Sequence, residues 1–223
     1  MKSFKEHILE KLKVSVRNTI KHTLFPETKD ELKQMIKDEI SKNGFECSLN
    51  HIDVSRITDM DRLFIGSIFN GDISNWDVSN VKNMKSMFEG SKFNGDISKW
   101  VVSTVENMSY MFYASIFNGD ISSWDVSNVK DMNRMFFDSK FNEDISSWDV
   151  SNVKNMIKMF GYSSFNGDIS NWNVSNVKNM EGMFENSKFN GDISNWDVSS
   201  VRNMEFMFAN SALENNPPKW YKD

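Results

Sequence analysis

The amino-acid sequence predicts an α/β repeat solenoid of seven 24-residue coils, each with a short parallel strand and a short helix, preceded by an N-terminal helical cap. The first observation is the spacing of the seven tryptophans, which follow one another at steps of 24 residues from Trp76 to Trp220 without insertion or deletion. The second is the unit itself, D-V-S-N-V-x-N-M-x-x-M-F-x-x-S-x-F-N-G-D-I-S-x-W. A fixed period of about 20 to 50 residues is typical of stacked repeats, which place identical residues in columns.

The repeat divides the chain into two parts, residues 1–52 as a helical segment and cap and residues 53–220 as the seven coils. Positions in a coil are numbered from 1, beginning at Asp53. The stretch V-x-x-M-x-x-M-F has apolar spacings of three and four, which favour a short helix or 3₁₀ turn. The stretch F-N-G-D-I-S-x-W has a β-branched Ile between turn formers, which favours a turn and a very short strand. We expect the Met, Phe and Trp columns to form the core.

Two helices are predicted before the first coil. Residues 3–25 have an amphipathic pattern that ends at Pro26. Thr28 followed by Glu31 is a capping box for a second helix that ends at Gly44. Its apolar face consists of Leu32, Met35, Ile36 and Ile40. We expect the second helix and residues 45–49 to cover the end of the stack at Ile52, and the first helix to serve in assembly or oligomerisation.

Composition excludes several classes of function. The net charge of −5 leaves no basic region that would favour nucleic acid. No stretch approaches the roughly 20 apolar residues of a membrane span. Charges interrupt the first 20 residues every few positions, unlike a secretory signal peptide. The single cysteine, Cys47, allows no intrachain disulfide. The single cysteine suits a reducing compartment such as the cytoplasm.

Two groups of residues invite a chemical interpretation. Cys47 and His51 are four residues apart, but neither a catalytic nor a metal site is complete without further groups, so we expect a cysteine of the cap beside a surface histidine. Carboxylates recur at positions 1 and 20, where they suggest either a calcium ladder or aspartates that accept backbone N–H groups in turns. Val101 interrupts the first column, which favours the turns. We therefore expect no cofactor, no metal and no catalysis.

Binding specificity in a repeat protein lies where the coils differ. Position 6 carries a nearly continuous basic stripe that includes Lys130, Lys154 and Lys178. It is either a solvated face or an electrostatic docking edge. Positions 9, 10, 13 and 14 vary most, and adjacent coils would bring six of their side chains together: Tyr110, Tyr113, Arg134, Phe137, Ile157 and Tyr162. These either form a protein-binding patch or fold over the neighbouring coil.

The segments "DVSNVKNMKSMF" and "SKFNGDISNWDVS" resemble the Mycoplasma-lipoprotein-type repeats of the BspA-like leucine-rich-repeat proteins. The segment "TKDELKQMIKDEISKNGFECSLNHIDVSRITDM" is similar to leaders of such repeats in Bacteroidetes and their phages. The resemblance implies a leucine-rich-repeat-like solenoid that binds a protein partner, often on bacterial surfaces, and has no catalytic residues. We therefore expect a non-catalytic protein-binding module. A second hypothesis is a structural component of a virion or bacterial surface assembly, anchored by the N-terminal helix. Because no secretion signal is seen in this sequence, we expect a cytoplasmic or virion-associated protein.

Overall fold

The computed structural model describes residues 21–222, in which 24-residue coils stack on one another. One helix, α1 (Lys29–Asn43), precedes the stack, and no strand occurs in this range. Single parallel bridges join position 7 of each coil to position 7 of the next, from Asp59–Asn83 to Asn179–Asn203. One further bridge joins Leu24 to Ile52, just before the first coil. No helix among the described residues is long and apolar enough to cross a membrane.

The predicted α/β fold class is wrong, because the coils contain neither helices nor strands. Position 10 and position 14 have positive φ angles in every coil, as at Ser86 (54°) and Gly90 (64°) in the second. A residue in the left-handed region interrupts an α-helix, so the segment folds into successive turns instead. The Val and Met side chains, spaced three and four residues apart, still point inward, although the segment is not a helix.

The predicted strand is also absent, because the groups that would pair it with the next coil form other hydrogen bonds. In a sheet, the carbonyl of the Ile at position 21 would accept a backbone N–H from the next coil. Here it accepts the indole N–H of the tryptophan in the next coil, as between Trp100 Nε1 and Ile73 at 3.1 Å. The preceding Asp accepts the backbone N–H of the Ser at position 22, as between Asp96 and Ser98 at 2.9 Å. The segment is therefore an Asx turn tied to its neighbour by a side chain.

A regular ladder of backbone hydrogen bonds holds the coils together. At each of the six junctions, the N–H groups at positions 8, 10, 12 and 14 donate to the carbonyls at positions 7, 9, 11 and 13 of the following coil, over 2.7–3.0 Å. In the second coil these donors are Met84, Ser86, Phe88 and Gly90. The ladder has a polarity, because these donors always face the C-terminal end of the stack.

The interior consists of columns of identical apolar side chains. Rings at positions 12 and 17 of one coil stack closely, with 4.3 Å between the centroids of Phe136 and Phe141. The position-12 rings of consecutive coils also stack, as do Phe136 and Phe160 at 5.8 Å. Trp148 is 3% exposed, and the Val and Met columns of the central coils are fully buried. The prediction that Met, Phe and Trp form the core is confirmed.

The predicted capping box begins α1 and is confirmed. The Thr28 hydroxyl accepts the Glu31 N–H at 3.2 Å, and the Glu31 carboxylate accepts the Thr28 N–H at 3.3 Å. Gly44 follows the helix with φ 85°. Leu32 and Ile36 are buried in the same cluster as the coil interior, and Met35 and Ile40 pack against it.

The predicted first helix is wrong where the structure describes it. Residues 21–25 are not helical, since Leu24 pairs with Ile52 and the Thr23 N–H donates to the His51 carbonyl at 2.9 Å. The rest of that helix, residues 3–20, lies outside the described part of the chain.

Candidate protein-binding surface

The variable positions of the coil lie on its outer side because of the turns that replaced the helix. Positions 8, 11 and 12 direct Met, Met and Phe inward, whereas positions 10 and 14 are left-handed residues at the corners between them. Tyr110, Tyr113 and Phe137 are half-buried, and Tyr162 is 49% exposed. The stack thus presents these aromatic side chains to solvent while the core columns stay intact.

Four of the predicted binding residues form a continuous row of rings, which we call the ring row: Tyr110, Tyr113, Phe137 and Tyr162. The ring centroids of Tyr110 and Tyr113 are 5.7 Å apart. Tyr113 stacks on Phe137 at 5.1 Å with nearly parallel planes, and Phe137 lies 5.2 Å from Tyr162. The row crosses three consecutive coils.

Arg134 joins the start of the ring row. Its guanidinium donates to the Tyr110 hydroxyl at 2.7 Å and lies 5.5 Å from the centre of that ring. Both contacts hold the Tyr110 ring in place. Ile157 is half-buried, and its backbone carbonyl accepts the Arg134 backbone N–H at 2.8 Å, which is the ladder bond of this junction. The structure thus brings five of the six predicted patch residues into contact, namely the ring row and Arg134.

One ring of the row also covers the neighbouring coil, as the alternative hypothesis suggested. A Cβ atom added at Gly161 would lie 3.0 Å from the Phe137 ring. Gly161 is therefore the residue that lets Phe137 lie flat, and sequence reasoning did not single it out. The signal was available, because position 13 is Tyr113, then Phe137, then glycine, although no other coil has glycine there.

The basic stripe at position 6 is less uniform than its sequence suggests. Lys130 forms an ion pair with Glu106 of the preceding coil at 2.5 Å. The hydrogen bond from Lys130 holds the pKa of Glu106 below its usual value. Lys154 is exposed and Lys178 half-buried, and neither side chain has an ionic or hydrogen-bond partner within residues 21–222. Of the three stripe lysines predicted to face a partner, Lys154 and Lys178 therefore keep an unpaired charge, whereas Lys130 does not.

The aspartate columns are used in turns. The Ser122 N–H donates to Asp120, the Ser146 N–H to Asp144, and the hydrogen bonds hold the pKa of both carboxyls below their usual range. In the described part of the chain, no three His, Cys, Asp or Glu side chains are grouped so that they could hold a metal ion.

Cys47 and His51 both lie near Glu39. The His51 Nε2 atom is 3.3 Å from the Glu39 carboxylate. Burial, and then the negative charge of Glu39, raise the pKa of the Cys47 thiol above its ordinary value. A reactive cysteine needs a lowered thiol pKa. The pKa of Cys47 is therefore shifted in the direction opposite to that of an activated nucleophile.

Comparison with known proteins identifies one family, which the chain matches over two ranges. Residues 30–140 and 117–220 each match the family described as "Mycoplasma protein of unknown function, DUF285". No curated protein and no solved structure matches the chain. The two matches cover α1 and the coils and fit the predicted Mycoplasma-type repeat, although they do not specify the BspA-like group. Because they cover most of the chain, this protein belongs to the DUF285 family.

Proposed function

We propose that this chain is a non-catalytic binding module that holds a protein partner through the ring row, with Lys154 and Lys178 as steering charges. The observation that carries the proposal is where the four rings lie. They occupy positions that differ from coil to coil and need not be aromatic for stacking, since other coils carry Ser, Glu or Asn there. Aromatic side chains that are half-buried and surrounded by polar groups are typical of protein-binding hot spots.

Binding is favoured over catalysis because the residues that the coils have in common are scaffold residues. Buried aromatic and Met columns and Asx-turn aspartates recur in coil after coil, as scaffold residues do. The ring row occurs once, which is what a specific interface requires. The resemblance to BspA-like proteins also supports binding, because it implies a repeat that is used for binding.

The experiment begins with affinity capture using the intact chain and identification of what it retains. The same capture is repeated with Tyr110→Ser, Phe137→Ala and Tyr162→Asn combined. Each replacement is the residue found at the same position of another coil, Ser86, Ala209 and Asn186. We expect unchanged circular dichroism and melting temperature, and loss of the partner, since one hot-spot aromatic commonly contributes about 2 kcal/mol, or roughly thirtyfold in affinity.

The matched control removes two exposed apolar side chains elsewhere, by Ile68→Lys and Ile116→Lys, which also copy other coils. It should keep the partner. Lys154→Ala with Lys178→Ala should slow association and reduce its salt dependence. A ring-row variant that stays folded and binds as the parent does would refute the proposal.

Deleting residues 1–20 tests the second hypothesis, that the chain is a structural component of an assembly. The deletion leaves Leu24, which pairs with Ile52, in place. If the shortened chain no longer assembles but still retains the captured partner, residues 1–20 serve assembly and the ring row serves binding.

A further inference from the structure

The seventh coil has a row of backbone donors without acceptors among residues 21–222. In the six preceding coils, the N–H groups at positions 8, 10, 12 and 14 are all paired with the next coil. The equivalent groups of the seventh coil have no partner within residues 21–222. They belong to Met204, Phe206, Phe208 and Asn210, and we call them the donor edge. At each coil junction, four such donors bind four carbonyls at alternate residues. The donor edge therefore matches a segment that presents carbonyls at that spacing.

The C-terminal residues cover only one side of this end. Trp220 continues the tryptophan column, with its indole N–H donating to the Ile193 carbonyl at 2.9 Å and its ring 6.4 Å from Trp196. Tyr221 packs edge-on against Phe208 at 4.9 Å. Beside the donor edge, a cavity of about 530 Å³ remains, lined among others by Met204 and Phe206.

The side chains around the cavity are less buried than their equivalents one coil earlier. Val174, Val177 and Met180 of the sixth coil are at most 1% exposed. Their equivalents in the seventh coil, Val198, Val201 and Met204, are only partly buried. Phe206 is 63% exposed at φ 58°, a conformation that bulky residues rarely adopt. The donor edge therefore combines unpaired polar backbone with apolar surface.

A second copy of the chain does not fit this edge. Two donor edges facing each other would oppose N–H to N–H. The carbonyls with the matching register lie at the other end of the stack, at positions 7, 9, 11 and 13 of the first coil. There, Lys29 of α1 binds Asp59 at 2.6 Å and approaches Asp61, and Leu63 is buried in a cluster shared with α1. Helix α1 thus blocks head-to-tail stacking, which would otherwise give open filaments.

We propose that the donor edge binds, from another protein, a segment with the coil motif N-M-x-x-M-F. Carbonyls of that segment at positions 7, 9, 11 and 13 would accept the four free N–H groups, and its Met and Phe side chains would enter the cavity beside Met204 and Phe206. The Arg202 carbonyl would accept an N–H one residue before the motif, as the Lys178 carbonyl accepts that of Arg202 at 2.9 Å. Main-chain pairing supplies affinity and the apolar pockets supply specificity, as in strand addition. The ring row takes no part in this contact.

The probe is a synthetic peptide with the sequence of residues 173–196, the sixth coil, added to the full chain. Amide exchange is followed by nuclear magnetic resonance. We expect saturable protection of the N–H groups of the donor edge, with at least about tenfold slower exchange at alternate residues only. A peptide with its two Met and first Phe replaced by Ser should bind at least about tenfold more weakly.

Phe206→Asp is the matched variant of the chain, because Asp tolerates a left-handed conformation and the side chain is exposed. It should weaken peptide binding by at least about tenfold without lowering the melting temperature, and the ring-row triple variant should bind the peptide as the parent does. Absence of protection at saturating peptide, or binding that ignores Phe206→Asp, would overturn the proposal. So would light scattering that grows with chain concentration and is abolished by Phe206→Asp, because a second copy would then occupy the edge.

Discussion

At the residue scale, the coil depends on two left-handed corners whose occupants differ widely. Position 14 is glycine in the first two coils, Gly66 and Gly90, and then Ala114, Asp138 and Tyr162. A left-handed conformation costs a non-glycine residue about 1–2 kcal/mol. The chain thus accepts local strain at the positions that vary, and two rings of the ring row, Tyr110 and Tyr162, are at such positions.

Ala114→Gly is expected to stabilise the protein by about 1 kcal/mol, because Ala114 is exposed at φ 49° and loses no packing. Gly90→Ala is the reverse change in the same column. A Cβ atom there would have no neighbour closer than 3.9 Å, so only the φ of 64° opposes it. We expect it to destabilise by a similar amount. Urea unfolding of both variants measures the difference, and a loss of stability in Ala114→Gly would contradict the strain argument.

Asp131 is the second test at this scale, because it stands among amides in the position-7 column, where five coils have Asn. Burial raises the pKa of its carboxyl, although its Oδ1 atom accepts the Asn133 N–H at 2.9 Å. A raised pKa in the folded state means that stability is lost as pH rises through that pKa. Asp131→Asn keeps the acceptor and removes the charge, so its melting temperature should exceed that of the parent at pH 7.

The same comparison near pH 3, below the ordinary aspartate pKa of about 3.9, should show no advantage for Asp131→Asn. Asp125→Asn, at an exposed position, is the control and should change little at either pH. A gain of equal size at both pH values would show that the carboxyl charge is not the cause.

At the element scale, helix α1 was predictable and the coil segments were not. The capping box and Gly44 are local signals that act on the backbone directly, and α1 begins and ends where they predict. The Val-Met-Met-Phe spacing is an indirect signal, because successive turns can place the same residues on one side. The left-handed corners carry Ser, Tyr, Arg, Lys or Phe as well as glycine, so the sequence does not reveal their φ angles.

Thr28→Ala is expected to destabilise α1 by about 1 kcal/mol, because it removes the acceptor of the Glu31 N–H. Since Leu32 and Ile36 of this helix are buried with the coil interior, the loss should appear in the melting of the whole chain. Lys37→Ala, at an exposed position of the same helix, is the control. Circular dichroism measures both variants, and equal effects would show that the cap contributes nothing.

At the scale of the whole molecule, stacking turns a 24-residue period into one continuous interior. The convergence of Tyr113, Phe137 and Tyr162 was predictable, because a strict period fixes which side chains become neighbours in adjacent coils. The pairing of Lys130 with Glu106 was not, since it depends on side-chain conformations between coils. The donor edge was also hidden, because it depends on the direction in which the backbone N–H groups point.

Stacking predicts that the cost of losing a tryptophan depends on its place in the molecule. Trp148 is 3% exposed between two coils and donates to the Ile121 carbonyl at 3.1 Å, whereas Trp220 is only partly buried at the end. Trp148→Ala should therefore cost about 3–5 kcal/mol, and it also removes one of the two hydrogen bonds that the Ile121 carbonyl accepts. Trp220→Ala should cost less, because it has a neighbouring coil on one side only. Exposed Lys154→Ala should stay within about 0.5 kcal/mol of the parent. Denaturant unfolding ranks the three variants, and equal losses at Trp148 and Lys154 would mean that the core and surface columns are wrongly assigned.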